Sequence, residues 1–221
     1  MTDSYGVTSS IKKKRIGELL IQDKRLDGRG LLDYREIRVQ TGPIEKANGS
    51  ALVSIGNTKV MVGVKVETGP PFPDTPDEGV LAVNAELVPL ASPSFEPGPP
   101  NEESIELARV VDRGIRESKT LDTRKLCIVP GKKVFVVYVD IYVLDHDGNL
   151  FDTSALASIL ALTTAKMLEF EAVGDNEVLG EKFVELPLRN HPIEVTMAKI
   201  GDKLVVEPSL EEESAVDAQI T

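Results

Sequence analysis

Apolar runs and alternations divide the chain into elements. Residues 50–55 and 58–67 are rich in valine and β-branched residues, and Gly56-Asn57 between them suits a two-residue hairpin turn. Residues 80–90 predict another strand. In residues 132–144, Val134, Phe135, Val136, Val137, Val139, Ile141 and Val143 are apolar on both faces, which predicts a strand central to its sheet. A helical period appears first in residues 9–21. Ile16, Leu19 and Leu20 share one side, Ser9 or Ser10 is a candidate cap, and residues 1–8 are expected to fray. Residues 101–119 follow Pro99-Pro100, with Asn101 as N-cap and Glu102 and Glu103 at the positive end of the helix dipole. Residues 152–170 read as a third helix. Its Ala155, Ala157, Ser158, Ala161, Thr164 and Ala165 imply close packing against a sheet or another helix. After an acidic loop, residues 193–200 and 203–207 pair around Gly201-Asp202, and a further strand begins near Ala215. The order strands, helix, strand, helix, strands is α+β.

Two segments resist regular structure. Residues 69–79 and 92–100 are dense in proline, which fixes φ and lacks an N–H. They interrupt strands rather than separate domains. The expected organisation is an N-terminal helical extension, residues 1–22, then one domain over residues 23–221. Nothing terminates the strand near Ala215, so that domain is expected to lack its C-terminal elements.

Composition narrows the class. Apolar residues make up 41%, with 17 glycines besides, which is globular rather than disordered. The net charge of −11 argues against coating nucleic acid with the whole surface. The charge is uneven, however. Residues 1–125 hold 18 basic and 19 acidic side chains, whereas residues 126–221 hold 7 and 17. A polyanion partner is therefore sought in the first part. Cys127 is the only cysteine and lies in an apolar run, as a buried small hydrophobe would. A lone cysteine, no apolar stretch near the ~20 residues of a membrane span and no signal-peptide core fit a cytoplasmic protein.

Three constellations could carry chemistry. Arg109, Arg113 and Arg116 stand at i, i+4 and i+7, within an arc of about 60° on a helix, and Lys119 extends the stripe. Leu107, Val110 and Val111 fall on the other side. The stripe reads equally as a surface helix with internal salt bridges to Asp112, Glu106 and Glu117, or as a track for phosphates. The basic run Lys12–Arg15 reads as a solvated face. Glu207, Glu211, Glu212 and Glu213 could hold a cation or supply a general acid; the plainer reading is a solvated loop or the acidic first turn of a helix. Asp145-His146-Asp147-Gly148-Asn149 fails as a calcium loop, because its glycine and its twelfth residue are misplaced. No metal site is expected.

A family resemblance is carried by Leu26-Asp27-Gly28-Arg29, Asn48-Gly49-Ser50-Ala51, Ile55-Gly56-Asn57-Thr58 and the run from Leu87 through Pro100. It continues through Glu106–Ser118, Leu144–Asn149, Pro192–Thr196 and Val205–Glu213. Over roughly residues 20–221 the chain resembles the RNase PH superfamily, and within it the non-catalytic ring subunits of the archaeal exosome. The resemblance implies an RNase PH-like fold of mixed β-sheets with packed helices. It implies a six-membered ring in which three copies alternate with three of an active relative, with RNA in the pore and RNA-binding cap proteins as further partners. That relative would remove 3′ nucleotides using inorganic phosphate, with magnesium a further candidate, while this chain holds no cofactor.

Two departures bear on activity. Active members carry an arginine in a Gly-Gly-Thr-Arg-like turn, where this chain has Asp147-Gly148-Asn149-Leu150-Phe151. Active members place two aspartates where this chain has Glu207 and Glu213. A longer side chain shifts the carboxylate by about 1.5 Å, and ~1 Å of misplacement can cost ~10²-fold in rate. The resemblance therefore implies degenerate catalytic positions and RNA contact through Arg109, Arg113, Arg116 and, more weakly, Lys119. The alternatives are an active phosphorolytic nuclease and a free-standing RNA-binding protein.

Overall fold

Valine-rich strands and a proline-flanked amphipathic helix build the larger part of the fold. In the computed structural model, residues 3–173 and 176–221 are described, with side chains described outside residues 1–10, 171–179 and 181. The main sheet contains β1 (Ile37–Thr41), β2 (Gly49–Ile55), β3 (Thr58–Gly69), β4 (Val80–Leu87), β5 (Cys127–Val129) and β6 (Lys133–Asp145). Its order is β1-β2-β3-β6-β4, with β5 also on β6. Strand β6 lies between β3 and β4, antiparallel to the first and parallel to the second. That central place explains its two apolar faces. Val137, Val139, Ile141 and Val143 enter the main core, while Val134 and Val136 join Val80 in a smaller cluster behind the sheet. Cys127 packs at the edge of that cluster and is half-buried rather than buried.

Helix α2 (Glu102–Glu117) packs on β4, and α3 (Leu150–Thr164) packs on β2 and β3, with the two helices touching. The small residues of α3 allow a close approach: a Cβ on Gly49 of β2 would overlap the Ala161 carbonyl and the Ala165 backbone. The predicted helix over 152–170 stops at Thr164. Lys166–Val173 is instead strand β7, paired with β8 (Asn176–Glu185). Met167 is buried and Phe170 meets Phe135 edge-on at 5.2 Å, so apolar positions that also satisfied a helical period serve an alternating strand. Part of the expected acidic loop lies in this hairpin, and Gly174 and Asp175 lie outside the described residues.

A second sheet, ordered β10-β9-β11, contains β9 (Met197–Ile200), β10 (Lys203–Val206) and β11 (Ala218–Ile220). The expected strand over 193–200 is shorter, because Thr196 leaves the ladder and its carbonyl accepts the Glu207 N–H at 3.0 Å. Helix α1 runs Asp3–Ile21, starting six residues before the expected cap; Met1 and Thr2 lie outside the described residues. Its Ile16 and Leu20 share a core with Ala198, Ile200, Val205 and Ala215, so the segment read as a helical extension is seated on this sheet. Strand β1 gave no sequence signal strong enough to predict it, and all five of its residues are exposed at the sheet edge.

Candidate functional site

Strand β10 delivers the chain into a charged corner. Glu207 takes a left-handed backbone (φ 55°), and Ser209 then caps the short helix α4 (Leu210–Glu213) in a reciprocal capping box with Glu212. The Leu210 N–H donates to the Asp147 carbonyl at 3.1 Å. Gly148 has φ 87°, and a Cβ there would overlap the Leu210 amide. Only glycine suits both demands. The Asp147-Gly148-Asn149 turn and the Glu207–Glu213 segment, distant in sequence, therefore meet.

Glu207 is fully buried. Its carboxylate pairs with Arg29 and Arg35, and Arg35 Nε donates to it at 2.8 Å. Arg35 also donates to the Asp147 carbonyl at 2.6 Å and the Gly148 carbonyl at 3.1 Å. The turn whose own residues lack a cation thus receives a guanidinium from the N-terminal segment, already committed to carbonyls and to Glu207. Arg25 is buried against Glu212, with Nε donating at 2.9 Å, and caps the Val206 and Glu207 carbonyls. That guanidinium holds the Glu212 carboxyl below its ordinary range against the opposing pull of burial. Glu213 accepts the Asn149 N–H at 2.7 Å, at the N-terminus of α3. Burial pushes its carboxyl up to about 7.

Glu211, Glu212 and Glu213 therefore form a helix turn, as one reading held, with Glu207 in the bend before it, but Glu207 and Glu212 are not solvated. Only Glu211 among the four is exposed, and it pairs with Lys12 at 3.1 Å. Arg25, Arg29 and Arg35, the residues that organise the corner, escaped sequence reasoning. Arg29 entered only as part of the Leu26–Arg29 family motif, and nothing local linked these arginines to carboxylates more than 170 positions away.

The arginine stripe lies on α2. Leu107, Val111 and Ile115 anchor the helix in the core, and Asn101 accepts the Ser104 N–H at 2.9 Å as its cap. Arg109, Arg113, Arg116 and Lys119 are exposed. They are not equivalent. Arg116 donates to Asp112 at 2.7 Å and to the Leu81 carbonyl at 2.6 Å. Arg109 and Arg113 have no ion pair among the described residues. The salt-bridge reading thus fits Arg116, and Glu106 and Glu117 do not share in it. A surface groove of about 750 Å³ runs beside Ile105, Arg109, Arg113 and Arg116. His146 stacks on Phe95 at 5.4 Å, and burial pulls its imidazole down.

These two sheets, the turn meeting α4 and the arginine-bearing helix are the parts that the comparisons place in one family. Residues 33–167 match the 3′ exoribonuclease family, domain 1, and residues 190–221 match domain 2 of that family. The chain belongs to this RNase PH family. It is 53% identical over 220 residues to the exosome complex component Rrp42 of Thermococcus gammatolerans, covering 97% of this chain and 80% of that one. Rrp42 of Pyrococcus horikoshii is 56% identical over 218 residues, with 97% and 79% covered. A solved Archaeoglobus fulgidus exosome with RNA bound to the active site superposes at a TM-score of 0.87 and 50% identity, covering 96% of this chain and 82% of the other. The match of fold extends to rice Rrp46 at 18% identity and a TM-score of 0.65.

Proposed function

We propose that this chain is a non-catalytic, RNA-binding and scaffolding subunit of an archaeal exosome ring. It supports 3′→5′ phosphorolysis carried out, with inorganic phosphate, by an active paralogous subunit. One observation carries the reading. Glu207, at a degenerate catalytic position, is buried and spent on Arg29 and Arg35, while Arg109 and Arg113 stay exposed and uncommitted. A carboxylate saturated by internal guanidiniums has no oxygen left for a substrate or metal. Exposed guanidiniums bind phosphate oxygens bidentately without reading sequence.

The test compares the purified chain, the active paralogue and their complex on poly(A) with inorganic phosphate. The expected result is no nucleoside diphosphate release by this chain alone and faster release by the complex than by the paralogue. Phosphorolysis by this chain alone, abolished by E207Q or E213Q, would overturn the proposal. That outcome is the second reading, and one observation favours it: a Glu213 carboxyl near 7 has the acidity of a general acid.

A further inference from the structure

Helix α2 is acidic where it starts, at Glu102, Glu103 and Glu106, and basic where it ends. Lys119 leaves the helix in a left-handed conformation (φ 53°). The chain then meets a distant segment. The Arg189 N–H donates to the Thr120 carbonyl at 2.7 Å, the Asp122 N–H donates to the Pro187 carbonyl at 2.9 Å, and Leu121 bridges Leu188. This brings Arg189 beside Arg116, Lys119 and Arg124 around a groove of about 500 Å³, floored by Leu81 and Ile115.

The groove's two carboxylates are already committed. Asp122, nearly buried, takes Arg189 at 2.6 Å and Lys125 at 3.9 Å. Glu78 takes the Thr123 hydroxyl at 2.9 Å and Arg124 Nε at 3.5 Å. Each carboxylate engages one nitrogen of its arginine, and a guanidinium has five N–H donors. Arg124 and Arg189 are thus anchored yet keep donors to spare, and both are more than half exposed. Arg116 is paired with Asp112, so four cations stand against three acids. Lys119 and the spare donors of Arg124 and Arg189, in a chain of net charge −11, make a local polyanion site.

We propose that this groove takes the ribose-phosphate backbone of RNA, continuing the track of Arg109 and Arg113 past the end of α2 by about two phosphates. The apolar floor suits a ribose or base, and the cations suit the phosphates. The inference rests on the RNA-binding reading above.

The test uses the assembled complex and single-stranded RNA, with affinity measured by fluorescence anisotropy across a salt series. R124Q/R189Q is expected to weaken binding about tenfold near physiological salt and to lower the salt slope by about 1.4, about 0.7 for each phosphate of a single strand. R124Q alone, whose side chain is three-quarters exposed, should show part of the loss with folding intact. An unchanged slope in both variants, with R109A/R113A still weakening binding, would overturn the groove and leave the RNA-binding reading standing. An unchanged slope in all three would overturn both. Inorganic phosphate binding at the groove without any change in RNA affinity would also overturn the proposal.

Discussion

Glu207 shows how one residue type can close a site. Its carboxylate serves two guanidiniums and the Arg35 N–H, so it works as the hub of an internal clasp. Removing one partner of a buried ion network leaves uncompensated charge and costs about 3–5 kcal/mol. E207A should therefore lower unfolding stability by about that much in urea titration. A change under 1 kcal/mol would mean that solvent reaches the corner and screens the pair. Glu213 sits differently. It accepts one backbone N–H and is otherwise stripped of water, so its glutamine variant should cost little at neutral pH. Between them the two carboxylates separate structural charge from spare charge at positions that sequence alone treated as equals.

The same distinction holds along α2. Arg116 is laced to Asp112 and to the free edge of β4, whereas Arg109 and Arg113 have no ion pair among the described residues. R109A/R113A should leave the thermal midpoint within about a degree and lower the complex's salt slope for RNA by about 1.4. R116A should also destabilise the fold, because it frees the Leu81 carbonyl at the sheet edge. A drop in midpoint for R109A/R113A equal to that of R116A would refute the distinction. The helix itself was legible in sequence, since proline, an asparagine cap, first-turn acids and a clean period all agree. So were β2, β3 and β6, where valine density leaves no alternative. The end of α3 was not, because Met167, Leu168 and Phe170 satisfy two periods and only pairing with β8 chooses between them. Strand β1 was silent because it buries nothing. The arginine clasp was illegible for a third reason: its charges meet only after the second sheet has brought Val206 beside Leu31.

Across the whole molecule, a large core under the main sheet and a small one under α1 are joined through this charged corner, so stability should follow the corner's titration. Arg25 holds Glu212 below its ordinary value of 4.5. Its contribution is present above the unfolded value and is lost as pH falls through the lowered folded value. Glu213 and Glu194 behave oppositely, each pushed up to about 7 by burial, with Asp152 adding to the effect on Glu194. Between 4.5 and about 7 the folded chain binds more protons than the unfolded one, so these two make stability fall as pH rises, by roughly 1–3 kcal/mol each. His146, whose imidazole is lowered by burial, works the other way below pH 6.5, but the two strongly raised carboxyls outweigh it, so stability should decline from about pH 5 toward neutrality. Thermal midpoints recorded from pH 4 to 8 should show that decline. E194Q/E213Q should flatten it while leaving in place the acid limb, to which Glu212 contributes together with the lowered carboxyls of Asp27, Glu36 and Asp217. A midpoint that keeps rising to pH 8 in the unmodified chain would show that both carboxyls ionise freely in the fold. Assembly that buries this corner further should then strengthen the pH dependence, and the complex compared with the chain alone would read that directly.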